Sequence, residues 1–336
     1  MSDSDIKIGK QITLEEIQHA WSPSWPFTQD PRIPGWIISE ERSWELLKGF
    51  IDSHFHGAPQ ALWPHTPSIF KTCIEASEAG MKALIFKDHW TMTSDRAYVI
   101  QEYLNMRAAQ EEDFVPAQVY GGVTLNYAVG GLNPEAVRKA LSGDFAKHTK
   151  CIWMPSVDAA WHYKWYKKEG GIRILDNGRL TPEVAEIIDL VAGAPNKVAI
   201  ATSHLSVEES LALAEAGQKA GVDIIFTHAT QELTAITMEE AKEFIKRGAW
   251  IELAQTSVMG TPIIGAGWGV NFSFSLRLIN EVGPSHIILV TDSGMPGAKP
   301  VWAARMLIMV LMAHGISEEA VNMMAKENPA KIFGIK

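Results

Sequence analysis

Residues 50–56 read Phe50-Ile51-Asp52-Ser53-His54-Phe55-His56, an apolar entry followed by two histidines one residue apart. In an extended strand the side chains at i and i+2 project to the same side, so the two imidazoles can converge on one ion. Asp52 points the same way and is placed to orient one imidazole or a nearby group. Taken alone an HxH pair decides little, because two histidines on one strand face also arise from packing. Its weight depends on what the rest of the chain sets beside it.

Outward from this stretch, short apolar runs alternate with helical ones. The predicted strands are Phe50–His54, Ala83–Lys87, Ala117–Thr124, Lys150–Pro155, Lys197–Thr202, Asp223–Thr227, Ala249–Leu253 and His286–Thr291. Runs such as Ala83-Leu84-Ile85-Phe86 and Ile287-Ile288-Leu289-Val290 are continuously apolar, as parallel strands covered on both faces require. Between them, Ser206-Val207-Glu208-Glu209 opens a helix as a capping box, and Thr181-Pro182-Glu183 puts proline at a first helical position. Gly80, Gly221 and Gly248 sit where helix C-caps precede a strand. Eight strand–helix units joined by right-handed crossovers predict an α/β fold, a (β/α)8 TIM barrel, over residues 49–336.

Residues 1–48 form an aromatic and proline-rich N-terminal extension, with Trp21, Trp25, Trp36 and Trp44 among Pro23, Pro26, Pro31 and Pro34. It reads either as an arm packed on the barrel or on a neighbouring copy in a homo-oligomer, or as a lid over substrate. The long loops Val157–Leu180 and Ala254–Gly269 follow strands, and so belong to the face where barrel enzymes keep their chemistry.

Three further strand ends carry metal-competent side chains: Thr202-Ser203-His204, Thr227-His228 and Thr291-Asp292. A barrel brings its strand ends into one ring, so these residues face His54 and His56. A lone histidine at a strand end is usually a satisfied structural residue; four histidines and an aspartate on one rim are a constellation. HxH on the first strand, single histidines ending the fifth and sixth and an aspartate ending the eighth resemble the signature of the amidohydrolase superfamily. The resemblance covers roughly residues 50–336, since Asn328-Pro329-Ala330-Lys331-Ile332-Phe333-Gly334 is similar to that superfamily's closing helix, and it points to an uncharacterised branch. It implies metal ligation by His54, His56, His204, His228 and Asp292, with Asp292 also shuttling the proton.

Strand four departs from the pattern. Many binuclear members place a carboxylated lysine or a glutamate there to bridge two metals, whereas Cys151-Ile152-Trp153-Met154-Pro155 offers neither. Strand two ends instead in Lys87-Asp88-His89. Burial beside cations disfavours an ammonium, and a neutral Lys87 can take up carbon dioxide and supply two carbamate oxygens to the metals. The alternative keeps Lys87 as an ammonium, contacting substrate or Asp88, beside a single metal. His89 reads equally as a substrate contact or a buried hydrogen-bonded histidine. His162, within Trp161-His162-Tyr163-Lys164-Trp165-Tyr166, is placed to reach over the pocket, and Asn126 is a weaker candidate for touching substrate.

The expected ion is Zn²⁺, with Mn²⁺, Fe²⁺ or Co²⁺ also suited to mixed nitrogen and oxygen donors. Such an ion lowers the pKa of bound water towards about 7, which gives hydroxide at neutral pH. The expected activity is hydrolysis of a C–N or C–O bond in a small amide, cyclic amide, ester or lactone, with Asp292 passing the proton to the leaving group. One alternative is a non-hydrolytic decarboxylase of an aromatic or unsaturated acid, with one metal and His228 in a catalytic role. Another is a catalytically silent metal-binding protein.

Composition narrows the classes further. The 336 residues carry 30 basic and 39 acidic side chains, a net charge of -9, with no basic block to displace counterions from nucleic acid. The opening residues lack a secretory pattern, and the run Met306–Ala313 is too short to span a bilayer. Cys73 and Cys151 suit reduced core residues of a cytoplasmic protein acting on a small molecule. Gly265-x-Gly267-x-Gly269 lacks the context of a dinucleotide fold, and there is no P-loop or nucleophile elbow.

Overall fold

All eight apolar runs form strands: β1 (Ile51–Phe55), β2 (Ala83–Phe86), β3 (Gln118–Thr124), β4 (Thr149–Trp153), β5 (Ala199–Ala201), β6 (Ile224–Phe226), β7 (Trp250–Ala254) and β8 (Ile287–Val290). In this computed structural model, which describes residues 40–61, 66–259 and 272–336, they pair in parallel and in sequence order from β1 to β8. Helices fill the crossovers, among them Ser94–Ala108, Val207–Ala220 and Met238–Lys246. β8 returns to β1 at the top, where the Asp292 N–H donates to the His54 carbonyl and the His56 N–H to the Ser293 carbonyl, both at 2.7 Å. The result is a (β/α)8 barrel.

Local signals act as the sequence predicts. Ser206 and Glu209 make a reciprocal capping box, Pro182 starts its helix, and Gly221 ends Val207–Ala220 in the left-handed conformation. Two apolar layers result. One lies between strands and helices; the other fills the barrel, with Ile51, Ile85, Trp153, Ile225, Trp250 and Ile288 among its members. Trp153 takes the space at the end of β4, and β3 yields to it. A Cβ on Gly122 would lie 1.7 Å from the Cys151 carbonyl oxygen and 2.9 Å from the Trp153 ring. The floor is plugged by Ile332 and Phe333 of the helix Asn328–Phe333, pinned by the Asn328 side-chain amide donating to the carbonyls of Pro284 and Ile287.

Two segments read as loops contain structure. Residues 157–180 hold the helix Ala160–Trp165 and a two-stranded hairpin, Leu175–Asp176 with Arg179–Leu180. The helix Gln255–Met259 follows β7. Short polar and aromatic runs of this kind lack the length that makes periodicity visible. Of the N-terminal extension, Glu40–Leu47 is a helix whose Leu46 and Leu47 are buried; the Arg305 guanidinium lies 4.5 Å over the Trp44 ring, and its Nε donates to Ser43 Oγ at 2.6 Å. Trp21, Trp25, Trp36 and the Gly265–Gly269 run lie outside the described residues. Among the described residues no helix is long and apolar enough to cross a membrane.

Candidate metal centre

The β1–β2 ladder slips between Asp52 and Phe55, so β1 does not alternate ideally where its chemistry sits. His54 and His56 still converge: each presents Nε2 at 3.2 Å from the same oxygen, Asp292 Oδ1. Asp52 turns away to β8. Its carboxylate accepts from the Thr291 N–H at 3.0 Å and the Thr291 hydroxyl at 2.6 Å, and so braces the strand that delivers Asp292 rather than an imidazole. Burial pushes the Asp52 carboxyl up to about 7, against those hydrogen bonds.

The other strand ends close the ring. The ring centroid of His228 is 5.5 Å from that of His54 and 5.2 Å from that of His204. Lys87 is buried, with Nζ 3.3 Å from His54 Nε2. Asp88 does not hold it: that carboxylate accepts from the backbone N–H of Trp90 and Thr91 and pairs with Arg96 at 3.2 Å. His54, His56, Lys87, His204, His228 and Asp292 therefore stand together in the fold, all buried.

The ring nitrogens are not equivalent. His54 Nδ1 meets Glu252 Oε1 at 2.9 Å, His228 Nδ1 meets the Thr234 hydroxyl at 3.3 Å, and His204 Nδ1 meets His162 Nδ1 at 2.7 Å. With Nδ1 of His54 donating to a carboxylate, its Nε2 carries the lone pair. That lone pair faces Asp292 Oδ1 at 3.2 Å. Two acceptors at this distance repel unless a cation or proton lies between them. Neutral nitrogens and one hard carboxylate oxygen match the donor set of a divalent transition-metal ion.

The electrostatics agree. Burial holds His56 below the usual imidazole range and His89, His204 and His228 well below it, which keeps them neutral. Burial likewise lowers the Lys87 ammonium pKa, opposed by Asp292 and Glu252. For Asp292 burial acts upward, but positive charge placed among His54, His56 and His228 outweighs it and holds the carboxyl well below its ordinary value, so its carboxylate form goes with the cation or proton that the facing acceptors require. Its Oδ2 accepts from the Thr256 hydroxyl at 2.9 Å.

Above the ring opens a cavity of about 390 Å³, walled in part by Trp90, Tyr163, Tyr166 and Met295. His89 lines it, stacked on His56 at 4.9 Å with Nδ1 on the Ser156 hydroxyl. His162 lines it from the helix Ala160–Trp165, stacked on His204 at 4.8 Å. Asn126 does not. Its amide donates to the His89 carbonyl and the Ser156 hydroxyl and accepts from the N–H groups of Ser156 and Asp158, which spends all its hydrogen-bonding capacity on joining the β3 and β4 ends.

Sequence reasoning missed Glu252 and Thr256. Glu252 left a signal, as the lone charge in the buried strand Trp250-Ile251-Glu252-Leu253-Ala254. Thr256 left none, being an ordinary polar residue after a strand.

The chain overlays on a Pseudomonas aeruginosa protein described as an amidohydrolase, at 12% identity over 87% of this chain and 98% of that one, with a TM-score of 0.53. An organophosphorus hydrolase from Deinococcus radiodurans aligns at 14% identity over 85% and 93%, TM-score 0.54. A TatD homologue, YjjV from Escherichia coli K12, aligns at 14% over 86% and 100%, TM-score 0.53. No curated protein matches by sequence. Fold and rim thus define a (β/α)8-barrel protein with a buried histidine–carboxylate group suited to a metal ion. The chain belongs to a family of unknown function, DUF6282, whose sequence profile matches residues 49–252.

Proposed function

We propose that the protein is a metal-dependent hydrolase of the amidohydrolase type, cleaving a C–N or C–O bond in a small molecule. The observation that carries this is the convergence of His54 Nε2 and His56 Nε2 on Asp292 Oδ1, with Glu252 holding the His54 tautomer. The named hydrolases that share the barrel support the same class. His54, His56 and Asp292 would hold one divalent ion, and His204 and His228 would supply ligands for a second. A carbamate on neutral Lys87 would supply the oxygen donors that the lysine or glutamate absent from β4 gives elsewhere.

When bound, the ion supplies a Lewis acid that polarises the scissile carbonyl and acidifies water. The chain's own residues do the rest. Asp292, ionised at neutral pH, accepts the proton as water adds to the carbonyl carbon, and returns it to the nitrogen or oxygen that leaves. Thr256, on the other carboxylate oxygen, keeps Asp292 aimed.

The test is activity against a panel of small amides, cyclic amides, esters and lactones. Activity is expected to vanish on chelation and return with Zn²⁺, Mn²⁺ or Co²⁺. Asp292→Asn is expected to lower kcat at least about a hundredfold. Full turnover in that variant, or release of carbon dioxide from an unsaturated acid at one metal per chain, would replace this reading with another chemistry.

A further inference from the structure

The helix Ala160–Trp165 is short, and the chain around it fixes its place. The Ala160 N–H donates to the Ile172 carbonyl at 2.8 Å, and the Ile172 N–H to the Asp158 carbonyl at 2.7 Å. A Cβ on Gly171 would lie 2.6 Å from Ala160 Cα, so glycine lets the returning chain come this close. From another side Trp161 Nε1 donates to the Leu233 carbonyl at 2.7 Å, a few residues after His228. Asp158 completes the brace, accepting from the Tyr127 N–H at 2.8 Å and the Tyr163 hydroxyl at 3.2 Å. His162 is thus held in place by its own returning loop and by two others, with its Nδ1 2.7 Å from His204 Nδ1.

That separation tells a proton from an ion. Two donors on one tetrahedral ion, each about 2.0–2.1 Å from it, stand about 3.3 Å apart. The 3.2 Å from His54 Nε2 and from His56 Nε2 to Asp292 Oδ1 is of that kind. Nitrogens at 2.7 Å are at hydrogen-bonding distance, too close for two lone pairs or two N–H groups, so one proton lies between them. If His162 supplied it, His204 would carry its own proton on Nε2 and keep no lone pair for a metal. The neighbouring histidines show the opposite direction. His54 Nδ1 faces the Glu252 carboxylate, which accepts. The Thr234 hydroxyl gives its proton to the His228 carbonyl at 2.8 Å, which leaves it an acceptor for His228 Nδ1 at 3.3 Å. Both rings therefore hold a proton on Nδ1 and keep Nε2 free.

We propose that His162 is a positioning residue of the metal centre: its Nδ1 accepts the His204 Nδ1 proton, so that His204 offers its Nε2 lone pair to an ion. This rests on the metal-dependent reading above and deepens it, since His162 stands behind His204 as Glu252 stands behind His54. It also gives the loop after β4 a part in the centre, although β4 itself ends in Trp153 with no metal donor. A neutral His162 that accepts at Nδ1 bears its own N–H on Nε2. His162 also lines the cavity, so a bound substrate lies beside the residue that sets the His204 tautomer.

The test uses the full chain, stripped by chelation and titrated with Zn²⁺ by calorimetry. His162→Phe, which keeps a ring and loses the acceptor, is expected to lower the affinity of one bound ion about 10–100-fold. His162→Asn, whose Oδ1 can accept in place of Nδ1, is expected to recover most of it. Thermal melts of the metal-free variants check that each is folded. Nitrogen-15 spectra of the Zn²⁺-loaded wild type test the same point without a substitution. His204 is expected with its proton on Nδ1 and zinc on Nε2, and His162 with its proton on Nε2. Zinc on His204 Nδ1, a His204 proton on Nε2, or unchanged affinity in folded His162→Phe overturns the inference. The expected pattern with no hydrolysis of any compound in the panel upholds it while defeating the hydrolase reading. Hydrolysis with the His204 proton on Nε2 does the reverse, and a chain that binds no Zn²⁺ overturns both.

Discussion

Glu252 carries more of the centre than its place in an apolar strand suggests. One oxygen, Oε1, accepts from His54 Nδ1 at 2.9 Å and from the His228 backbone N–H at 3.1 Å, so it sets a tautomer on β1 and anchors the β6 end. Glu252→Ala leaves both buried donors bare. Zn²⁺ affinity is expected to fall about 10–100-fold by calorimetry, the usual effect of losing a carboxylate behind a ligating histidine. Glu252→Gln keeps an acceptor in place and is expected to lose less, and nitrogen-15 spectra of the imidazoles would show whether His54 keeps its proton on Nδ1. Unchanged metal affinity in Glu252→Ala would leave the residue a purely structural part of β7. Asn126 gives the opposite contrast. With its amide fully engaged in the β3–β4 junction, Asn126→Ala is expected to cost about 2–3 kcal/mol in urea unfolding, with KM moving less than stability does.

At the scale of elements, the strand ends store strain. Ser203, His228 and Asp292 have φ of 51°, 37° and 47°, and each stands at or beside a rim position on β5, β6 or β8. Left-handed backbone at non-glycine residues is costly and persists where neighbours enforce it. Gly294 is one enforcer: at φ 103° its missing Cβ would lie 1.7 Å from the His56 carbonyl oxygen, which lets the turn after Asp292 press against β1. Gly294→Ala is expected to cost about 2–4 kcal/mol and to strip metal from the centre. Gly143→Ala, at φ 56° in open space, is expected to cost only about 1 kcal/mol of local strain in the same urea titration. All eight strands were legible in the sequence, because continuous apolar runs are what two-sided burial demands. The strand-end His and Asp were legible for the same reason: they are where the apolar run stops. The helix Ala160–Trp165 was not, being six residues with no apolar period. Thr256 was not, because its role comes from a contact with Asp292, far away in sequence.

Across the whole molecule, protonation sets an acid limit to the metal-free fold. Burial depresses the pKa of six imidazoles: His56, His89, His162, His204 and His228 around the centre, and His286 beside Lys331 at the other end of β8. A histidine whose folded pKa lies below its unfolded value of about 6.5 contributes stability that is complete above that pH and is lost as pH falls beneath it. Asp52 acts the other way: with a folded value of about 7, its contribution is present at low pH and lost as pH rises through 7. One carboxylate offsets only part of six imidazoles, so the net slope between about pH 6.5 and 4 is destabilising on acidification. Thermal melts in chelator are expected to fall steadily over that window, and His286→Phe, remote from the centre, is expected to make the fall shallower. A divalent ion at a hundredfold excess over its Kd adds about 2.7 kcal/mol near pH 7.5. Because ligation needs neutral imidazoles, that gain is expected to shrink towards pH 5. If melting temperature rises with Zn²⁺ by the same amount at both pH values, the ion is bound by groups other than these histidines; if it rises at neither, the centre does not hold one.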